Sequence, residues 1–126
     1  MRSCFIEIVG HDLDPDEVGR RLGAKPSRAH RRGEINPPSQ SPAHQGAWTV
    51  DSEQHVGPGD LEAHICWSAA FITQHRSALV GLRESGLTIR FRIFWELNDE
   101  VLSVSLSPYN LAVVASCVES IEMSIV

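Results

Sequence analysis

The stretch LTIRFRIFW, residues 87–95, alternates strictly. In an extended chain Leu87, Ile89, Phe91, Ile93 and Trp95 point one way, and Thr88, Arg90, Arg92 and Phe94 the other. A period of two with one wholly apolar face marks a half-buried strand, the kind that builds a largely antiparallel sheet with helices against one side. Both flanks fit that reading. Upstream, residues 60–84 carry Leu61, Ile65, Ile72 and Leu79 at helical spacing, widened by Trp67, Phe71 and Leu82, with Asp60 as N-cap and Gly86 as terminator. Downstream, ELNDE (96–100) reads as a hairpin loop. It leads into a second alternating run at 101–107, with Leu102, Val104 and Leu106 inward and Ser103, Ser105 and Ser107 outward.

Working outward, residues 3–9 read as a strand with Cys4, Ile6 and Ile8 on one face. GHDLDPDEVGRRLG (10–23) crowds four acids beside His11, and its spacing predicts a helix start. Asp14 fits the N-cap, Pro15 the first helical position and Glu17 the third. Leu13 and Val18 match a hydrophobic staple, and Gly23 suits the end. A calcium loop beginning at Asp12 needs Gly at its sixth position and Glu at its twelfth. Those positions hold Glu17 and Gly23. Residues 24–46 contain four prolines and no periodicity, so they form a long irregular loop. AWTVDS (47–52) is a short strand with Trp48 and Val50 on one face, and EQHVGPGD (53–60) is a second loop. A short helix at 108–116 and a closing strand at 118–126 complete the order β-α-β-α-β-β-α-β. The expected fold is one α+β domain over residues 1–126, a largely antiparallel sheet with helices packed on one face.

Composition narrows the function classes. The chain has 126 residues, 42% of them apolar, enough for one core that buries about 65% of the unfolded surface. The net charge of −5 disfavours nucleic acid as partner. Arg20, Arg21, Lys25, Arg28, Arg31 and Arg32 nevertheless hold six of the eleven basic residues within thirteen positions. Three cysteines without a CxxC pair point to buried thiols in a reducing compartment. The opening MRSCFIEIVG is no signal peptide, and no run reaches the roughly 18 apolar residues of a membrane span. A cytoplasmic location is expected.

No complete chemical site is legible. The six histidines show neither HxH nor HExxH spacing. His64 and His75 fall on one helix face but about 16 Å apart at 1.5 Å per residue, too far to share an ion. No GxSxG and no transferable Cys/His signature is present. GPGD (57–60) reads as a turn and cap rather than a phosphate loop. No catalytic residue, metal or cofactor is expected. Two surfaces stand out instead. KPSRAHRRGE (25–34) offers arginines suited to carboxylate or phosphate, or else balances the acids at 12–16. The outer sheet face combines Arg90, Arg92, Thr88 and Phe94 with Phe5, Ser103 and Ser105, a patch expected to be covered by the 24–46 loop or by another chain.

Three pieces together carry a family resemblance. They are the first strand running into GHDLDPDEVGRRLGAKPSRAHRRGE, the strand GAWTVDS, and the long helix leading to the Arg-rich strand. The most specific positions are Gly10, Leu13, Pro15, Leu22-Gly23, Pro26, Gly33-Glu34 and Trp48. The chain resembles the bacterial domain of unknown function 4279 family over nearly its whole length. The resemblance implies a small cytosolic bacterial α+β domain. The family has no established activity, so no catalytic residue carries over.

The expectation is a non-catalytic protein-interaction module, of the immunity-protein type, whose partner is a protein or a second copy of the chain. Its candidate binding residues are Arg28, Arg31 and Arg32 of the loop, Arg90, Arg92 and Phe94 of the sheet, and Trp48. The alternative is a small-ligand binder or enzyme with a site between the 24–46 loop and the sheet. Nucleic-acid binding is the weakest reading.

Overall fold

The structure, a computed structural model, describes residues 2–35, 41–96 and 105–125. Nine elements follow in the order β1 (Arg2–Gly10), α1 (Pro15–Leu22), β2 (Arg28–His30), β3 (Gly46–Asp51), α2 (Glu53–Val56), α3 (Leu61–Glu84), β4 (Thr88–Trp95), α4 (Pro108–Ala115) and β5 (Ser120–Ile125). The strands form one sheet in the order β2-β3-β1-β4-β5. β1 pairs antiparallel with both β3 and β4, and β2 antiparallel with β3, whereas β4 and β5 run parallel.

The class is α+β, and the sheet is mixed rather than purely antiparallel. The parallel pair has a simple cause. β5 returns to the edge of β4 after a connection containing α4, and a helical crossover delivers the next strand in the same direction. Alternation reports which side a residue faces and carries no information on strand direction. The element order also differs from β-α-β-α-β-β-α-β. A three-residue strand, β2, lies inside the 24–46 loop, and one turn of helix, α2, lies inside 53–60. Of the strand expected at 101–107, residues 101–104 lie outside the described residues, as does most of the 96–100 hairpin. Residues 105–107 are not extended into a strand, and Leu106 packs partly against the core.

The core lies between the sheet and the helices. On β1 and β4, Cys4 faces Ile93, Ile6 faces Phe91 and Ile8 faces Ile89; Val50 and Trp48 continue that face on β3. These side chains cluster with Val18 and Leu22 of α1, Leu61, Ile65, Phe71, Ile72, Leu79 and Leu82 of α3, and Val114 of α4. Phe5 and Val9 point to the other side of β1 and are buried too. The central strand is thus covered on both faces.

The start of α1 forms as its residues dictate. The Asp14 side chain accepts a hydrogen bond from the Asp16 backbone N–H, Pro15 opens the helix, and Gly23 closes it at φ 66°, in the left-handed region. At Gly46 a Cβ would come within 2.5 Å of the Leu13 carbonyl oxygen, so only glycine lets β3 pass beneath the α1 entry. α3 departs from helical geometry at one residue, His75 (φ −110°, ψ 16°), which divides it into two segments.

Candidate functional site

The outer face of the sheet is covered by its own arginines. The Arg28 guanidinium sits 5.2 Å from the Phe5 ring centroid, and that of Arg92 sits 5.6 Å from Phe94. The Phe5 and Phe94 rings meet edge to face at 5.2 Å. Glu7 lies between Arg90 (3.5 Å) and Arg92 (3.8 Å), and Arg92 also reaches Glu122 at 3.3 Å. The sheet places Arg90, Arg92 and Phe94 on one face, Arg28 of the basic run joins them from β2, and each has a partner within the chain. Ser103 lies outside the described residues. Trp48 takes no place on this surface: it is fully buried on the helix side, its indole beside Gly19.

The basic loop is tied down in the same way. Arg31 bridges Asp14 and Asp16 at 2.9 and 2.8 Å, and Arg32 reaches Asp12 at 3.4 Å and the His11 ring. Its charges answer the acids at the start of α1. Desolvation pushes the pKa of the Asp14 carboxyl up. The Asp16 N–H and the charge and hydrogen bond of Arg31 outweigh that and hold it below its ordinary value.

A different part of the molecule is concave. A cleft of about 380 Å³ opens between α3, α2 and the connection from α1 to β2, lined by Ala24, Lys25, Val50, His55, Trp67, Ala70, Phe71, Gln74 and His75. Helical periodicity makes its long wall: residues 67, 70, 71, 74 and 75 share one face of α3. Four rings run along it. His55 stacks on Trp67 (4.5 Å, 16° between planes), Trp67 meets Phe71 at 5.5 Å, and Phe71 meets His75 at 4.4 Å. Val50 and Phe71 are buried at the floor, whereas Lys25, His55, Ala70 and Gln74 are exposed at the rim. The kink of α3 falls on His75, inside this wall.

Two anchors hold the other walls. The connection carrying Ala24 and Lys25 is fixed to β3, since the Ser27 N–H donates to the Thr49 carbonyl (2.8 Å) and the Ser27 hydroxyl accepts from the Asp51 N–H (2.9 Å). The α2 turn carrying His55 is fixed through Ser52. Its hydroxyl accepts from the Cys4 N–H (2.8 Å) and lies 2.7 Å from His64 Nδ1, to which it can donate in the Nε2–H tautomer. Ser52 and His64 look like a nucleophile and its base, but both are fully buried and the pair acts as a clamp between α2 and α3. Nearby, burial pushes the Cys4 thiol up to about 12, the charge of Asp51 adds to the rise, and a Ser68 hydrogen bond opposes it. Cys4 is an inert core residue.

Reading the sequence alone assigns Trp67 and Phe71 to the core stripe and gives Lys25, His55, Gln74 and His75 no shared role. The usable signal was the Trp67-Phe71-His75 repeat at i, i+4, i+8, a ring ladder on the flank of the buried stripe. The remaining lining residues come from three separate segments, which no local pattern connects.

Among the described residues, no group of three or more His, Cys, Asp or Glu side chains is placed to hold a metal ion, and no helix is long and apolar enough to cross a membrane. No curated protein and no solved structure matches the chain. The family described as Domain of unknown function (DUF4279) matches residues 2–125. With all but the two terminal residues inside that match, the chain belongs to the DUF4279 family.

Proposed function

We propose that this chain is a small-molecule-binding module whose site is the cleft between α3, α2 and the Ala24–Lys25 segment. The observation that carries the reading is the lining: an apolar floor, stacked aromatic walls and a few polar tips converging at the rim. Ligand sites have this composition, and about 380 Å³ lies within their usual range of roughly 300–1,000 Å³. The activity proposed is binding rather than turnover, since the lining described is mainly apolar and aromatic.

The test is a fragment screen by ligand-detected NMR against the native chain and Ala70→Trp. Ala70 is an exposed rim residue one turn from Trp67, so an indole there fills the cleft without entering the core. Flat apolar fragments should bind the native chain and be lost with Ala70→Trp. Hits that survive the substitution would place binding elsewhere.

A second reading, a non-catalytic protein-interaction module or homodimer, draws support from β5. Ile121, Met123 and Ile125 share one face of that strand and are 43%, 42% and 53% exposed. The outer sheet face and the basic loop lend it less support, because their arginines already have intramolecular partners. Light scattering of the native chain against Met123→Lys tests it: a dimer that the substitution dissociates would favour this reading over the first.

A further inference from the structure

Resting on the reading of the cleft as a ligand site, we infer that its ligand is a small free acid, an aromatic ring bearing one carboxylate, with Lys25 holding the carboxylate. Three observations converge. First, the chain carries sixteen acidic residues, yet none of the nine described residues lining the cleft is Asp or Glu. The described lining instead holds one amine, Lys25, and two imidazoles, His55 and His75. In a protein of net charge −5, a cleft of that make-up suits an anion better than a neutral or cationic molecule.

Second, Lys25 differs from the basic residues around it. Arg20 pairs with Glu17, Arg31 with Asp14 and Asp16, and Arg32 with Asp12, while Arg21 donates to the Ser85 hydroxyl and Arg28 lies over the Phe5 ring. Lys25 sits in the same basic run, and its side chain has neither an ion pair nor a hydrogen bond nor a ring contact among the described residues. It is exposed at the mouth of the cleft and held there by the Ser27 anchors on β3. Its ammonium is free to meet a ligand's carboxylate, a contact that must compete with water at an open rim.

Third, the walls select shape. His55 and Trp67 are nearly parallel, and the ring series continues through Phe71 to His75, so a flat ring has faces and edges to lie against. A ring packed on Trp67 and Phe71 leaves its substituent directed to the rim, where Lys25, His55 and Gln74 are exposed. An aromatic carboxylate meets both demands. A bare aromatic meets only the first, and a simple anion only the second.

Lys25 is the chain's single lysine, which gives the test a clean reporter. Reductive methylation with 13C-formaldehyde keeps its charge and yields one side-chain signal besides that of the α-amine. Three probes with the same ring, indole-3-acetate, indole and tryptamine, are titrated into the labelled chain while the Lys25 methyl and Trp67 indole signals are followed. Indole-3-acetate should move both signals and bind about tenfold more tightly than tryptamine, as expected for reversing the charge beside a half-open cation, with indole between them. In unlabelled Lys25→Met, followed through Trp67 alone, that gap should close while the affinity for indole stays the same. If all three probes move Trp67 with equal affinity, the acid is wrong and the small-molecule site stands. Tighter binding of tryptamine would overturn the inference in the same way. If none moves Trp67, the inference fails, and the Ala70→Trp fragment screen decides separately whether the cleft binds anything.

Discussion

The hydroxyl of Ser52 lies 2.7 Å from Nδ1 of His64, with both side chains fully buried. That one contact joins the end of β3 to the first turn of α3, and the same hydroxyl accepts the Cys4 backbone N–H from β1. Ser52→Ala strands a buried donor and a buried acceptor together. The expected cost is about 1–3 kcal/mol, the penalty of unpaired buried polar groups. Urea unfolding should show a lower midpoint with an unchanged slope. A midpoint equal to that of the native chain would mean that the clamp contributes nothing.

The Glu7 carboxylate sits between Arg90 and Arg92. Reversing both arginines, Arg90→Glu with Arg92→Glu, sets three carboxylates side by side with Glu122 adjacent, and removes the cation over Phe94. The double variant should fold with the same core but lose about 1–2 kcal/mol at low salt, since both arginines reach solvent and each pair is individually weak. Much of that loss should return in 1 M salt, where the screening length falls to about 3 Å. A loss independent of salt would point to packing rather than charge.

The thiols should separate by accessibility. Cys66 is exposed, whereas Cys4 and Cys117 are buried. Burial drives Cys4 up to about 12, so at pH 8 it offers almost no thiolate. A chromogenic disulfide reagent should titrate one thiol quickly in the native chain and all three in denaturant. Rapid native reaction of a second thiol would contradict the burial of Cys4 or Cys117.

Desolvation raises the Asp14 carboxyl, but the Asp16 N–H and Arg31 together outweigh it and hold the group below its ordinary value of 3.8. Its folded state therefore binds the proton less readily than its unfolded state. The stabilising contribution is complete above about pH 4 and disappears as pH falls through the lower folded value. Stability curves of the native chain and Asp14→Ala should converge with acid over that window. If the gap between them were constant from pH 6 to pH 2, the charge of Asp14 would play no part.

Much of the scaffold was legible because local rules and tertiary demand agree there. Asp14, Pro15 and Gly23 bound α1 where capping chemistry puts them, and the alternation of Thr88–Trp95 assigns every side chain of β4 to its observed face. What failed had non-local causes. β2 is three residues, Arg28–His30, extended only because Thr49, Trp48 and Ala47 lie beside it. β5 runs parallel to β4 because of the α4 crossover, which side-chain pattern does not encode. The pairing of the loop arginines with the acids at 12–16 was one of the two readings the sequence offered, and Arg31 and Arg32 make it. The partners on the sheet were not legible: Glu7 is brought to Arg90 and Arg92, and Phe5 to Arg28, by the strand register. The cleft was the least legible, because Lys25, Val50, His55 and Phe71 meet only once four segments have packed.

A small molecule held in the cleft beside α3 can be located by intermolecular nuclear Overhauser effects between a bound aromatic fragment and the chain. Its ring protons should show contacts to the Trp67 indole, the Phe71 ring and the Val50 methyls, the walls and floor of one cavity. Contacts confined to the exposed Ile121, Met123 and Ile125 of β5, with none to Trp67 or Phe71, would contradict that placement.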